Sequence, residues 1–340
     1  MKLRKIFYLL ASLCFVLSAC ESDDENNGTG DVPNGALPSA EFTPNNLPDE
    51  PYAEDAIKIV AEDEDAPFYS IELMGDGHYL LCLTRPTELP TKAVCVDKTA
   101  NGGFRISKSH KTSAMRTRIV TDENGTTNIG YGNMYYGAFE KIGDRKYRLS
   151  NGCEIELQEQ SRAIKTIWYS SPDGLVATIK ISIYDNVLDD NTRSLCRTWN
   201  YNSIEIWGYI NDAYIVHGKQ TIVDGRVERE FESSMSDWEE DDILDDDSEL
   251  CYKAIFSTNG TYLCFFRDGT AEAYSWEWSD KKSGTIHTWD ASEYTLDEQD
   301  HLYSKIRFAG RQMRVYNDVS EREDGMTFRS VTVETLTAAQ

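Results

Sequence analysis

Short stretches of alternating apolar and polar residues, ended by turns that pair glycine with Asp or Asn, recur along this chain from about residue 57 onward. That pattern belongs to antiparallel strands joined by tight turns, because side chains two apart share a face and glycine accepts the positive φ that hairpins require. In the first half it predicts strands at 57–60, 69–73, 79–83, 93–96, 104–106, 147–149, 154–157 and 175–184. Gly75-Asp76-Gly77, Asn124-Gly125, Gly143-Asp144 and Asn151-Gly152 mark turns among them. The second half predicts strands at 203–209, 213–218, 252–257, 262–267, 271–278, 285–289, 303–308, 312–316 and 326–335. So many short strands imply a closed or nearly closed barrel, which removes the exposed edges of an open sheet. The expectation is an all-β chain of two small antiparallel barrel or sandwich domains, at 52–188 and 189–340, divided near Asp185–Arg193, where periodicity lapses. Asn259-Gly260-Thr261-Tyr262-Leu263-Cys264-Phe265-Phe266 also echoes Asp76-Gly77-His78-Tyr79-Leu80-Leu81-Cys82-Leu83, consistent with either two similar units or a common hairpin pattern.

The amino terminus carries an address. Lys2, Arg4 and Lys5 precede an apolar run from Ile6 to Leu17, too short to span a bilayer as a helix and fitting a signal peptide over residues 1–19. Leu17-Ser18-Ala19-Cys20 resembles a lipobox, in which the cysteine thiol is acylated and the chain is cut just before it. Two or three acyl chains on Cys20 would hold the protein on a membrane where one would not. The plainer alternative is a secretory signal with a chance cysteine. Glu21-Ser22-Asp23-Asp24-Glu25 resembles the acidic export signal that sends lipoproteins of Bacteroidota to the outer face of the outer membrane; the alternative is a simple acidic tether. Residues 20–51, rich in Asp, Glu, Asn, Gly and Pro, read as a lipidated flexible tether.

The formal net charge is -24, and removing the signal's three cations makes the body more negative still. Such a surface repels anions, so no nucleic-acid partner is expected; Arg105, Lys108, Lys111, Arg116 and Arg118 read as a solvated face. The acidic run Asp237–Glu249 lacks the order of an EF-hand and reads as a solvated, mobile loop. Cys82, Cys95, Cys153, Cys196, Cys251 and Cys264 read as mostly reduced and buried, and no Cys/His spacing suits zinc, so neither metal nor cofactor is expected. His78, His110, His217, His287 and His301 fall in no protease pattern, and no nucleophile elbow, P-loop or dinucleotide fingerprint is present.

Leu195-Cys-Arg-Thr-Trp199, Phe256-Ser-Thr-Asn-Gly-Thr-Tyr262 and Tyr274-Ser-Trp-Glu-Trp278 together resemble the lipocalin-like domain of Bacteroidota surface lipoproteins, over about 190–340. Arg197 stands where that pattern has glycine. The resemblance implies a small barrel able to bind in its mouth. Tyr274, Trp276 and Trp278 share one strand face, which either fills the core or forms an aromatic platform for a ligand. The function expected is a non-enzymatic, membrane-anchored surface module binding a glycan, peptide or small apolar ligand. The alternatives are a glycan or peptide hydrolase using a carboxylate pair, and a structural subunit of a surface assembly.

Overall fold

In the computed structural model the described residues are 42–45, 47–83, 97–98, 104–105, 117–118, 120–121, 127–129, 134–159, 165–184, 189–236, 238–290, 302–323 and 325–339. Cys20, the signal, the acidic run after it, the strand expected at 93–96, Cys95, Lys108, His110, Lys111, Arg116 and His301 lie outside them. The chain forms two closed eight-stranded antiparallel barrels. Among the described residues no helix is long and apolar enough to cross a membrane.

The first barrel begins with β1 (Ile57–Ala61), β2 (Ser70–Leu73) and β3 (His78–Cys82). Five short strands follow: β4 (Asp97–Lys98), β5 (Phe104–Arg105), β6 (Thr117–Arg118), β7 (Val120–Thr121) and β8 (Thr127–Ile129). The wall resumes with β9 (Met134–Gly143), β10 (Lys146–Leu149), β11 (Glu154–Glu159), β12 (Lys165–Ser170) and β13 (Val176–Tyr184), which pairs back onto β1. Ile59, Ile71, Leu73, Tyr79, Leu81, Ile155, Ile167, Tyr169, Ile179 and Ile181 alternate inward and fill the interior. Each such side chain contributes about 1.5–3 kcal/mol by leaving water. A side chain at Gly137 would run into the Ser150 hydroxyl and come within 3.1 Å of the ring of Tyr79, its partner on the neighbouring strand, so glycine there leaves room for both.

The second barrel follows a short helix, α1 (Asp190–Leu195), whose first turn is capped by the Asp189 carboxylate accepting from the Thr192 N–H at 2.8 Å. Its strands are β14 (Thr198–Ile210), β15 (Ala213–Val223), β16 (Arg226–Ser233), β17 (Cys251–Phe256), β18 (Thr261–Phe266), β19 (Thr270–Asp280), β20 (Thr285–Asp290), β21 (Leu302–Ala309), β22 (Gln312–Glu323) and β23 (Met326–Ala338). The ring runs β14-β17-β18-β19-β20-β21-β22-β23 and closes where β23 pairs β14. β15 and β16 extend the sheet from the far half of β14.

One end of this barrel is shut. Trp199, wholly buried, stacks on Phe308 with ring centres 5.8 Å apart and donates its indole N–H to the Leu195 carbonyl at 2.8 Å. Arg197, in the place where the resemblance expects glycine, is buried here and donates to the carbonyls of Pro48 and Arg193. Phe42 plugs the same end, 5.4 Å from the rings of both Trp278 and Phe308. Asn45 is bonded to Ser194, and Arg193 to Asp49. The tether expected over 20–51 is thus corrected at its carboxyl end, where residues from 42 onward belong to the body. A single phenylalanine among Asn and Pro carries no periodicity, so only the docked position reveals its core role.

The barrels pack through equivalent hairpins. Gly77 and Gly260 both take positive φ, 89° and 86°, and each turn leads into a strand whose alternate residues face the other barrel. Leu80 and Leu263 hold the same place in the two hairpins and meet in one cluster with Met74, Tyr136, Ile255, Phe265, Ala271 and Ala273. Polar groups fix the register of this contact. Thr198 donates to Asp76 at 2.8 Å, and the buried Glu72 carboxylate accepts from the hydroxyls of Ser257 and, at 2.6 Å, Thr261. Burial alone would raise the Asp76 carboxyl, but bonds from His78 and Thr198 outweigh it and hold it below the ordinary range.

Candidate functional site

The two barrels share a topology but not an interior. β1 pairs β2 along Ile57–Val60, so the first barrel's wall is continuous there. β14 pairs β17 only over Thr198–Asn200 and from Ser203 onward pairs β15, so the second wall parts like an opened seam. Behind the seam, at the end opposite Trp199, lies a cavity of about 310 Å³. Tyr201 and Ile204 come from β14, Gln220 and Ile222 from β15, and Cys251 from β17. Tyr262, Cys264 and Phe266 come from β18, Tyr274 from β19, Trp289 from β20 and Glu334 from β23. Among its described residues the first barrel has a charged cleft of about 340 Å³, where Asp55 is already held by Lys141 at 2.7 Å and Tyr147 at 2.8 Å.

The seam is covered by residues 238–250, and here the expectation of a solvated, mobile acidic loop is corrected. Trp238, Leu244 and Leu250 are buried, and Leu244 lies against Gly218, where any side chain would come within 2.6 Å of it. Arg229 on β16 ties the acidic side down by bonding Glu240 at 3.0 Å, the Asp245 carbonyl at 2.8 Å and Asp247. Apolar residues spaced among the carboxylates and one arginine opposite them turn an acidic run into a lid. Among the described residues no group of three or more His, Cys, Asp and Glu side chains is placed to hold a metal ion.

The polar end of the cavity is a chain of three groups. Tyr201 donates to Glu334 at 2.9 Å, and its hydroxyl lies 3.3 Å from that of Tyr262. Glu334 faces the cavity yet is walled round by protein, and this loss of hydration raises its carboxyl above the usual range although the Tyr201 bond pulls the other way. Burial likewise pushes the hydroxyls of Tyr201 and Tyr262 well upward. A carboxyl raised in the folded state binds more protons there than in the unfolded chain, so it subtracts stability as pH rises past the unfolded value. Glu334→Gln is therefore expected to melt higher than the parent at pH 7 and together with it near pH 4, measured by calorimetry; a lower melting temperature at pH 7 would contradict the assignment.

The three aromatic residues singled out from sequence do share the inward face, but they divide in position. Tyr274 lines the cavity. Trp276 is buried in the closed-end core, donating to the Ser257 carbonyl at 3.0 Å, and Trp278 sits beside Phe42, donating to Thr192 at 3.1 Å. Sequence reading missed Glu334, Tyr201, Tyr262 and Gln220. For Glu334 a signal existed: it falls in phase with Leu336 and Ala338, which point into the core, and a lone acid in that phase is unusual. Cys82, Cys153, Cys196, Cys251 and Cys264 are all free thiols.

Compared with known proteins, the chain matches no family model and no curated relative. A crystal structure of a DUF3598-family protein of unknown function from Nostoc punctiforme aligns over 84% of this chain and 94% of its own, at 10% identity and a TM-score of 0.11. A likeness at that TM-score carries no statement about fold or role.

Proposed function

We propose that this chain is a non-enzymatic binding protein, anchored by lipid on Cys20 to the outer membrane and facing outward, whose second, lipocalin-like barrel captures a small and largely apolar ligand. The supporting observation is the contrast in lining between two barrels of one topology: the first offers a charged cleft of about 340 Å³, and the second keeps a part-open cavity of about 310 Å³ with largely apolar and aromatic walls. That size is at the lower end for small-molecule sites and leaves no room for an oligosaccharide or a folded peptide. Walls of Ile204, Ile222, Phe266, Tyr274 and Trp289 supply apolar surface, and the Tyr201–Glu334 pair supplies the few directional groups such sites use to orient a ligand.

Two measurements test the two parts of the reading. Cys20→Ala is expected to move the protein from the membrane fraction to the soluble one, and unchanged retention would remove the lipid anchor. A panel of small aromatic and alicyclic compounds, glycans and peptides titrated against the full chain is expected to raise the melting temperature only with the small compounds. Stabilisation by glycans alone would place recognition outside the cavity.

A further inference from the structure

The polar end of the cavity fixes what a ligand must bring. We infer that the cavity takes a compact, uncharged molecule whose polar group is a carbonyl oxygen, received by the Glu334 carboxyl; the inference rests on the cavity being the binding site.

Hydrogen-bond geometry provides the first argument. Tyr201 gives its one hydroxyl proton to Oε2 of Glu334 at 2.9 Å, so in the 3.3 Å contact between the two phenols Tyr262 donates and Tyr201 accepts. Both phenolic protons are directed along the chain toward the carboxyl, and neither is left for a ligand. Among the described residues Oε1 of Glu334 has no hydrogen bond, yet it does not belong to the sealed oxygens that lack a partner. Glu334 is half-buried and lines the cavity, so Oε1 is the part of the carboxyl open to it. With Oε2 taken as acceptor, a proton on the carboxyl resides on Oε1 and faces the ligand.

Charge provides the second. Among the described residues that line the cavity there is no Lys, Arg or His, and Arg229 is taken up by the acidic side of the lid. Glu334 thus has no counter-ion in the wall, and its loss of hydration favours the neutral acid. A carboxylic acid kept neutral in an apolar site acts as a hydrogen-bond donor. An ammonium ligand would require two ions to leave water for one contact, a cost that their attraction often fails to repay. A carbonyl oxygen accepts the Oε1 proton without that cost, while the rest of the molecule packs on Ile204, Phe266 and Trp289. The titratable groups that share the cavity with Glu334 are Tyr201 on β14, Cys251 on β17, Tyr262 and Cys264 on β18, Tyr274 on β19, and Asp245 and Glu249 on the lid. Its register partners, Val315 on β22 and Ile204 on β14, carry no charge. Glu334→Gln separates its titration from theirs, because the amide keeps a donor in the same place and does not ionise.

Three probes of nearly one shape test the assignment: acetophenone, ethylbenzene and 1-phenylethylamine, titrated calorimetrically against the full chain at pH 5 and pH 8. At pH 5 acetophenone is expected to bind about fivefold more tightly than ethylbenzene, the net worth of one hydrogen bond. That advantage is expected to shrink by pH 8, as the carboxyl gives up its proton, while ethylbenzene binds alike at both. Acetophenone binding should take up part of a proton, read from the heats in buffers of different ionisation enthalpy, and ethylbenzene binding none. In Glu334→Gln the preference for acetophenone is expected to persist at both pH values and the proton uptake to vanish. Where that variant does not fold, the proton uptake by the parent chain decides alone. Tightest binding of the amine at pH 8, equal binding of acetophenone and ethylbenzene at both pH values, no proton uptake, or a pH dependence that survives in Glu334→Gln would overturn the carbonyl assignment and leave the cavity as the site. Binding by none of the three would overturn the cavity reading and this inference with it.

Discussion

Trp199→Ala is expected to cost the second barrel about 3–5 kcal/mol, the range for removing a large buried aromatic side chain. The indole is wholly buried among Leu195, Phe256, Trp276, Met313 and Leu336, and the helix α1 hangs on its N–H through the Leu195 carbonyl. Truncation would leave a void that the barrel strands, tied by hydrogen bonds on both sides, cannot close, and would free a buried carbonyl at the end of the helix. For a domain of this size the loss is a fall of about 6–20 °C in Tm. Trp168→Ala is the control: that ring lies part-exposed beneath the Lys146 ammonium, 5.3 Å from its centre, and its removal should shift the midpoint by a few degrees at most. A Trp199→Ala protein melting within two degrees of the parent would show that this end of the barrel does not need its plug.

How far the sequence foretold this arrangement differs from element to element. β2 and β3 were legible because Ile71, Leu73, Tyr79 and Leu81 alternate with residues that are also buried, but against the other barrel, and because Gly77 marks the turn between them. The echo between the Asp76-Gly77 and Asn259-Gly260 segments is structural: both are the hairpin joining the second and third strands of their barrels. β16 was illegible for the opposite reason, since Arg-Val-Glu-Arg-Glu-Phe-Glu-Ser is an edge strand whose charges keep it from pairing further and whose apolar residues are only half covered. β9 was missed because Gly137 interrupts its apolar pattern where the Ser150 hydroxyl and the Tyr79 ring need the space. The lid could not be read from Asp237–Glu249 alone, because what ties it down is Arg229, which lies outside the run on β16, 11 residues before Glu240, and the sequence does not show that the chain folds back onto it. The candidate site was legible only at Tyr274; its acid, its two phenols and its amide come from four other strands, and no spacing links them.

Replacing Ser257 by alanine and Thr261 by valine together is expected to destabilise the two-barrel body by about 3–5 kcal/mol, although neither change touches a barrel interior. Both hydroxyls donate to Glu72, which is 2% exposed, so the double variant leaves a carboxylate sealed between two apolar surfaces with its hydroxyl donors gone. The contact it fastens is the meeting of the two hairpins, with Leu80 against the cluster around Leu263 and Phe265. Weakening it should separate the unfolding of the barrels, so that one calorimetric transition becomes two. Adding Glu72→Leu to the double variant should recover most of the loss, because removing every polar partner at once leaves no charge to desolvate. Recovery of the single transition would identify the buried carboxylate as the fastening. If the triple variant melts no higher than the double, the hydroxyls matter for another reason, and the two barrels are held together by the apolar cluster alone.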